Sequence, residues 1–84
     1  MHHVLVIGAG TMGTVHAKSY AAMKNVELVG IVDLRGERGR ELAAETNTQW
    51  FASYDEAMEM LERVDIIDVC LPTYLHKTYV QKAA

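Results

Sequence analysis

The stretch His3-Val4-Leu5-Val6-Ile7-Gly8-Ala9-Gly10-Thr11-Met12-Gly13 decides the fold, because an apolar strand runs directly into a glycine-rich turn. The turn has the pattern G-x-G-x-x-G, and helix-forming residues follow it at once. An acidic residue, Asp33, comes about 20 positions later. A strand, a glycine turn, a helix and a later acid in this order predict a dinucleotide-binding unit.

Each glycine of this turn has its own predicted task. Gly8 adopts the backbone angles of the tight bend, Gly10 leaves room for a pyrophosphate, and Gly13 lets the helix lie close to the sheet. Thr11 and Met12 open the helix, whose first N–H groups and positive dipole end face the phosphates. A turn with only a structural role would explain one glycine, but not all three together with the later acid.

Asp33 ends the second predicted strand, where a carboxylate can accept hydrogen bonds from the hydroxyls of an adenosine ribose. A 2'-phosphate at this place would meet a like charge at close range, so the sequence favours NAD over NADP. NADP stays open as an alternative, because Arg35 and Arg38 lie near enough in sequence to supply a cation. Arg35 is therefore included among the candidate cofactor-binding residues.

Strands and helices alternate along the chain, which predicts an α/β fold with a parallel sheet. The predicted strands span 3–7, 26–33, 49–52 and 64–71, and the predicted helices span 11–24, 36–46, a segment capped by Ser53 and a segment capped by Thr73. Right-handed crossovers give the strand order 3-2-1-4 of a Rossmann-type doubly wound sheet. The loops after strands one and four then converge on one crevice. Because two further strands are usual, we expect residues 1–84 to be a partial domain, incomplete at the carboxyl end.

Composition and charge exclude several classes of partner. The chain has 84 residues, a formal net charge of -3 and no cluster of Lys and Arg, which argues against nucleic acid or an anionic membrane as the main partner. No apolar run is long enough to span a membrane, and the chain does not begin like a signal peptide. The single Cys70 cannot form an internal disulfide and no Cys/His spacing suits zinc, so we expect no metal and a cytoplasmic location.

Several residues outside the turn leave alternatives open. His16 is interpreted as a hydrogen-bonded packing residue rather than a contact of the glycine turn. Asp68 interrupts an apolar strand, which is costly unless a partner or a wet crevice accommodates it, and the sequence names no partner. Met58 and Met60 are interpreted as core residues. His76 caps its loop or contacts the nicotinamide ribose or substrate, and the first role is favoured.

Cys70 is interpreted as a small buried side chain rather than a nucleophile, since no basic neighbour is evident to lower its pKa. It also begins the segment Cys70-Leu71-Pro72-Thr73-Tyr74-Leu75-His76, which is the most specific part of a family resemblance. Together with Gly8 to Gly13, His16-Ala17 and Asp33, this segment resembles the Gfo/Idh/MocA family of NAD(P)-dependent enzymes, the glucose-fructose oxidoreductase and inositol dehydrogenase type.

The family's T-P-x-x-x-H turn after strand four lines the nicotinamide side of the cofactor. The resemblance therefore implies cofactor contacts from Leu71, Pro72, Thr73 and His76. The chain departs from the pattern in two places, since Leu71 stands for the usual Thr and Thr73 for the frequent Asn.

The resemblance also implies an activity, hydride transfer between a nicotinamide cofactor and a carbinol of a sugar or cyclic polyol. In the family, a Glu-Lys-Pro motif on the next strand carries a catalytic lysine, and a carboxyl-terminal domain binds substrate and often forms a dimer interface. This chain contains neither, so we assign it no catalytic residue. We expect a fragment that is inactive alone and belongs to a homo-oligomeric enzyme.

A second hypothesis comes from a different class of protein, a non-catalytic dinucleotide-sensing module that reuses the same fold. The residues that follow Ala84 would distinguish it from an enzyme.

Overall fold

The computed structural model describes residues 1–70, whose four strands form one parallel sheet flanked by helices. In chain order the elements are β1 His2–Ile7, α1 Thr11–Ala22, β2 Val26–Val32, α2 Gly36–Glu45, β3 Trp50–Phe51, α3 Tyr54–Met60 and β4 Ile66–Val69. The sheet order is β3-β2-β1-β4, so the predicted Rossmann-type topology is confirmed. The predicted last helix and the loop residues Leu71, Pro72, Thr73 and His76 lie outside the described residues.

The central strand β1 is buried on both faces, which explains its continuous apolar sequence. Val4 and Val6 face one side of the sheet, where they pack in a cluster with residues of α1 and α2. Leu5 and Ile7 face the other side and pack in a second cluster with residues of β3 and α3. This alternation follows from the two-residue repeat of a strand, and it places helices on both faces of the sheet.

Several elements are shorter than predicted. Helix α1 ends at Ala22 instead of Lys24, because Met23 adopts an extended conformation and its N–H bonds the Tyr20 carbonyl at 3.1 Å. Strand β4 spans Ile66–Val69 instead of 64–71. Within residues 1–70, no helix is long and apolar enough to cross a membrane.

Helix α3 confirms one prediction and contradicts another. The Ser53 hydroxyl accepts a hydrogen bond from the Glu56 N–H at 3.1 Å, as the capping sequence predicts. The assignment of Met58 and Met60 to the core is wrong, since 39% and 68% of their surfaces are exposed. In this seven-residue helix it is Tyr54 and Ala57 that are buried against the sheet, so the two methionines lie outside that contact face.

The short strand β3 fixes the carboxyl end of β2, where Asp33 lies. The Trp50 indole N–H donates to the Asp33 carbonyl at 2.9 Å, and the Asp33 N–H donates to the Phe51 carbonyl at 3.2 Å. The indole lies so close to Gly39 that a Cβ there would come within 2.2 Å of the ring. The Arg40 guanidinium also contacts this indole and lies 4.7 Å from the centroid of the ring. Helix α2 and strand β3 therefore hold Asp33 in a defined position.

Candidate functional site

The glycine turn links β1 to α1 and is tightly packed. Gly8 has a φ of 103°, a conformation that favours glycine, and its N–H donates to the Val32 carbonyl at 2.7 Å. A Cβ on Gly13 would lie 1.8 Å from the Gly8 carbonyl oxygen, so only glycine allows α1 to begin so close to the turn. At Gly10, by contrast, the described residues would bring only the Arg35 guanidinium near a Cβ, at 3.7 Å. The geometry agrees with the structural tasks predicted for Gly8 and Gly13, while the task of Gly10 toward a pyrophosphate stays a prediction.

A cleft of about 510 Å³ opens beside this turn at the carboxyl ends of β1 and β4. Among the described residues its lining comprises Gly8, Gly10, Thr11, Met12, His16, Arg35, Val69 and Cys70. Five of these residues are predicted cofactor contacts. The sequence does not predict cofactor contacts from His16, Val69 or Cys70. Gly13 lies beneath the cleft against Gly8. Helix α1 begins here with no side-chain cap and no acidic residue in its first turn, so its N-terminus is suited to an anion.

A larger cleft of about 570 Å³ lies at the opposite end of the sheet, where its lining includes His3 and Glu27, the second residues of β1 and β2. In doubly wound sheets ligands bind outside the carboxyl ends of the strands, at the point where the strand order reverses. The cleft beside the glycine turn has that position and the larger one does not. We therefore place the functional site at the glycine turn.

Asp33 is buried, and its carboxylate is fully engaged within the protein. Oδ2 accepts from the Ala9 N–H at 2.7 Å and from the Arg35 Nη2 at 3.0 Å. Oδ1 accepts from the Arg35 backbone N–H at 2.7 Å and from its Nε at 3.1 Å. Burial raises the pKa of this carboxyl, but the hydrogen bonds from Arg35 and Ala9 outweigh burial and hold the pKa below its ordinary value. Asp33 is therefore a carboxylate at neutral pH.

The two arginines that the sequence offers as cations have different positions. The Arg35 side chain is 64% exposed and lies over Asp33 at the mouth of the cleft. The Arg38 guanidinium instead bonds the glycine turn, with Nε 2.9 Å from the Ala9 carbonyl oxygen and Nη2 2.6 Å from Thr14 Oγ1. The sequence did not distinguish these two roles, because both side chains lie within a few residues of Asp33.

Asp68, whose partner the sequence did not reveal, belongs to a network between β4 and α1. Its Oδ2 lies 2.7 Å from His16 Nδ1 and accepts from the Tyr20 hydroxyl at 2.7 Å. Burial raises the pKa of Asp68, but the hydrogen bonds from Tyr20 and His16 outweigh burial and keep the pKa below its ordinary value. The hydrogen bond to Asp68, followed by burial, raises the pKa of Tyr20 to about 12. His16 is thus hydrogen-bonded, as interpreted from the sequence, and it also lines the cleft beside the glycine turn.

Cys70 lies beside this network. Its Sγ is 3.4 Å from His16 Nδ1, so the expectation that Cys70 has no basic neighbour is wrong. Burial, followed by the charge of Asp68, raises the pKa of the thiol to about 12, which favours the protonated, weakly nucleophilic form. The possible metal-ligand atoms of His16, Asp68 and Cys70 lie within 4.8 Å of one another, but hydrogen bonds already join these groups. We interpret the cluster as a link between α1 and β4.

Residues 2–84 match the sequence model described as "Oxidoreductase family, NAD-binding Rossmann fold", that of the Gfo/Idh/MocA proteins. The chain belongs to this family. Curated relatives include UDP-N-acetylglucosamine 3-dehydrogenase of Acidithiobacillus ferrooxidans, 39% identical over 71 residues, which are 84% of this chain and 21% of the relative. Another is myo-inositol 2-dehydrogenase of Thermotoga maritima, 32% identical over 77 residues, which are 89% of this chain and 22% of the relative.

Solved structures of the family agree with the observed fold. A myo-inositol dehydrogenase from Corynebacterium glutamicum superposes with a TM-score of 0.90 at 32% identity, over 99% of this chain and 25% of that one. GenD2 from gentamicin A biosynthesis, in complex with NAD, gives a TM-score of 0.84 at 29% identity, over 98% of this chain and 24% of that one. The chain thus spans about a quarter or less of these relatives' length.

Membership of the family, whose description is an NAD-binding Rossmann fold, makes the chain an NAD-binding domain, and the expected cofactor, NAD, is confirmed. The particular residues that contact NAD stay predictions. They are Gly8, Gly10, Thr11, Met12, Gly13, Asp33 and Arg35 within the described part of the chain, and Leu71, Pro72, Thr73 and His76 beyond it.

Proposed function

We propose that the protein is the NAD-binding part of an oxidoreductase that transfers a hydride between nicotinamide and a carbinol carbon of a sugar or cyclic polyol. The observation that carries the proposal is the glycine turn itself, with Gly8 at a φ of 103° and the turn's Ala9 N–H bonded to Asp33 at 2.7 Å. This arrangement joins the phosphate end and the ribose end of a dinucleotide site in one rigid unit. The substrate class rests on the relatives named above, which are sugar and polyol dehydrogenases.

The residues present fit the cofactor. The space above Gly10 admits a pyrophosphate, and the uncapped N-terminus of α1 supplies N–H groups for it. Asp33 would accept hydrogen bonds from the adenosine ribose once the Arg35 side chain moves, because Arg35 supplies three of the four hydrogen bonds that the carboxylate now accepts, two of them from its guanidinium. The residues Leu71, Pro72, Thr73 and His76 would line the nicotinamide side.

When bound, NAD supplies the hydride acceptor for oxidation of the carbinol to a carbonyl, a reaction that also releases the hydroxyl proton. This chain's own residues bind and orient the cofactor. We assign the group that takes the proton to a part of the enzyme outside this chain. We assign the substrate domain and the contacts of a homo-oligomer to that part as well. This division of labour rests on the length of the relatives, of which the matched regions are only 21% and 22%.

The test is an activity assay of the chain and of a longer protein that contains it, with NAD and a panel of sugars and polyols, following the reduced cofactor. We expect turnover of at least one panel member by the longer protein and none by the chain alone. Turnover by the chain at a comparable rate would contradict the division of labour. Tight NAD binding by a folded longer protein that oxidises no panel member would favour the dinucleotide-sensing hypothesis.

A further inference from the structure

The guanidinium of Arg38 joins helix α2 to the glycine turn and to helix α1. Its Nε donates to the Ala9 carbonyl at 2.9 Å and its Nη2 donates to Thr14 Oγ1 at 2.6 Å. The third nitrogen, Nη1, lies 3.3 Å from Glu41 Oε1 on the same helix. All three nitrogens of the side chain are therefore engaged within the protein, and two of the three bonds fall on the turn and the first helix.

Ala9 is the residue between the first two glycines, and it is held from both directions. Its N–H donates to Asp33 at 2.7 Å, while its carbonyl accepts from Arg38 at 2.9 Å and from the Thr14 hydroxyl at 3.3 Å. A peptide unit is planar and trans, so fixing the Ala9 carbonyl also fixes the direction of the Gly10 N–H, which points the opposite way in the same plane. Arg38 thereby sets the orientation of a backbone donor in the segment that lines the cleft.

We propose that Arg38 is a positioning residue that holds the glycine turn ready for the cofactor, and that it is not a ligand of an adenosine 2'-phosphate. This inference rests on the proposed function, since it concerns the same cofactor site. A turn that is already in its binding conformation loses no affinity to reorganisation, whereas a turn that visits this conformation only part of the time binds more weakly in proportion. This loss of affinity is the same for any ligand that binds the turn through its pyrophosphate.

The two possible roles of Arg38 predict different patterns of affinity. A residue that orients the turn affects NAD and NADP by the same factor. A ligand of the 2'-phosphate affects NADP alone, because NAD lacks that group. The ratio of the two dissociation constants therefore separates positioning from direct contact.

The experiment is a calorimetric titration of NAD and of NADP into the protein and its Arg38→Gln variant. We expect the dissociation constants for both cofactors to rise by roughly tenfold, as loss of a charge-assisted hydrogen bond typically causes. Arg63→Gln is the matched control, because Arg63 is an exposed arginine that bonds Asp65 near the opposite end of the sheet from the turn. It should change either constant by less than about twofold. A rise for NADP alone, or no rise in a folded Arg38→Gln variant, would overturn the proposal.

A second measurement does not depend on cofactor. Amide hydrogen exchange in the ligand-free protein should become roughly tenfold faster at the Ala9 N–H in Arg38→Gln, and should stay unchanged in Arg63→Gln. The milder Arg38→Lys variant keeps the charge but loses the fork that bonds Ala9 and Thr14 together. It should cause a smaller change in the same direction, which keeps the test valid if Arg38→Gln fails to fold. Unchanged exchange at Ala9 in both variants would contradict the positioning role. Failure of the unaltered protein to bind NAD would overturn the proposed function instead.

Discussion

The carboxylate of Asp33 accepts four hydrogen bonds, which is about the number that its two oxygens can accept. A ribose hydroxyl can therefore reach Asp33 only in exchange for one of these donors. The Arg35 guanidinium is the exchangeable one, since its side chain is 64% exposed while the Ala9 N–H belongs to the rigid turn. At the residue scale, we therefore propose that cofactor choice depends on the buried Asp33 carboxylate and on displacement of the exposed Arg35 guanidinium that covers it.

Replacing Asp33 with Ser should narrow the preference for NAD over NADP by about tenfold, or about 1.4 kcal/mol, because the charge that repels a 2'-phosphate is removed. Titration of both cofactors into the variant measures the change. Asp65→Ser is a control at the opposite end of the sheet and should leave the ratio unaltered. An unaltered protein that binds NADP as tightly as NAD would show that Asp33 does not set the preference.

The glycines of the turn differ in how they tolerate a side chain. Gly13→Ala should lower the free energy of unfolding by about 1–3 kcal/mol, because the added Cβ would lie 1.8 Å from the Gly8 carbonyl oxygen. Gly10→Ala should cost less than about 1 kcal/mol, since within residues 1–70 its Cβ would meet only Arg35, at 3.7 Å. Urea denaturation of the two variants checks which one loses more free energy of unfolding. Equal losses would mean that the close approach at Gly13 is relieved by movement of the helix.

At the scale of elements, local signals and long-range contacts have separate roles. Helix α3 depends on a local one, the Ser53 cap, which the sequence shows directly. The junction of α1 with β4 depends on Asp68, whose bonds to His16 and Tyr20 join positions 52 and 48 residues apart. The local sequence therefore predicts the cap of α3, but it does not predict the contacts of Asp68 with α1.

Ser53→Ala should destabilise the protein by about 1 kcal/mol, because the Glu56 N–H loses its partner at the start of α3. Ser19→Ala is the matched control, since the Ser19 hydroxyl donates to the Val15 carbonyl from an exposed position within α1. Its effect should stay within about 0.5 kcal/mol. Chemical denaturation followed by circular dichroism compares them, and equal effects would argue against a role for the cap.

The Asp68 network predicts a loss of stability in acid. The folded-state pKa of Asp68 lies below its ordinary value of 3.8, so its bonds add stability above that pH, and this contribution disappears as the pH falls through the folded-state pKa. Asp68→Asn should therefore flatten the dependence of the free energy of unfolding on pH below about 4. Denaturation midpoints across this range provide the measurement. A variant with the same slope as the unaltered protein would show that Asp68 titrates alike in the folded and unfolded states.

For the whole molecule, patterns that lie within one element or one turn could be predicted from the sequence. The alternating strands and helices predicted the sheet order, and the glycine spacing predicted the turn and its position at the end of β1. The partner of Asp68, the different contacts of Arg35 and Arg38, and the exposure of Met58 could not be predicted. Each of these depends on which side chains the fold brings together or turns outward.

The most direct test of the account is a calorimetric titration of NAD into the unaltered protein and into Gly10→Val, with circular dichroism of both. We expect saturable one-to-one binding to the unaltered protein and no detectable binding to the variant, whose spectrum should stay that of the folded domain. The valine would fill the space that the cofactor's pyrophosphate needs. Absence of NAD binding to the folded unaltered protein, or equal affinity in a folded Gly10→Val, would contradict the central claim that the glycine turn holds the cofactor.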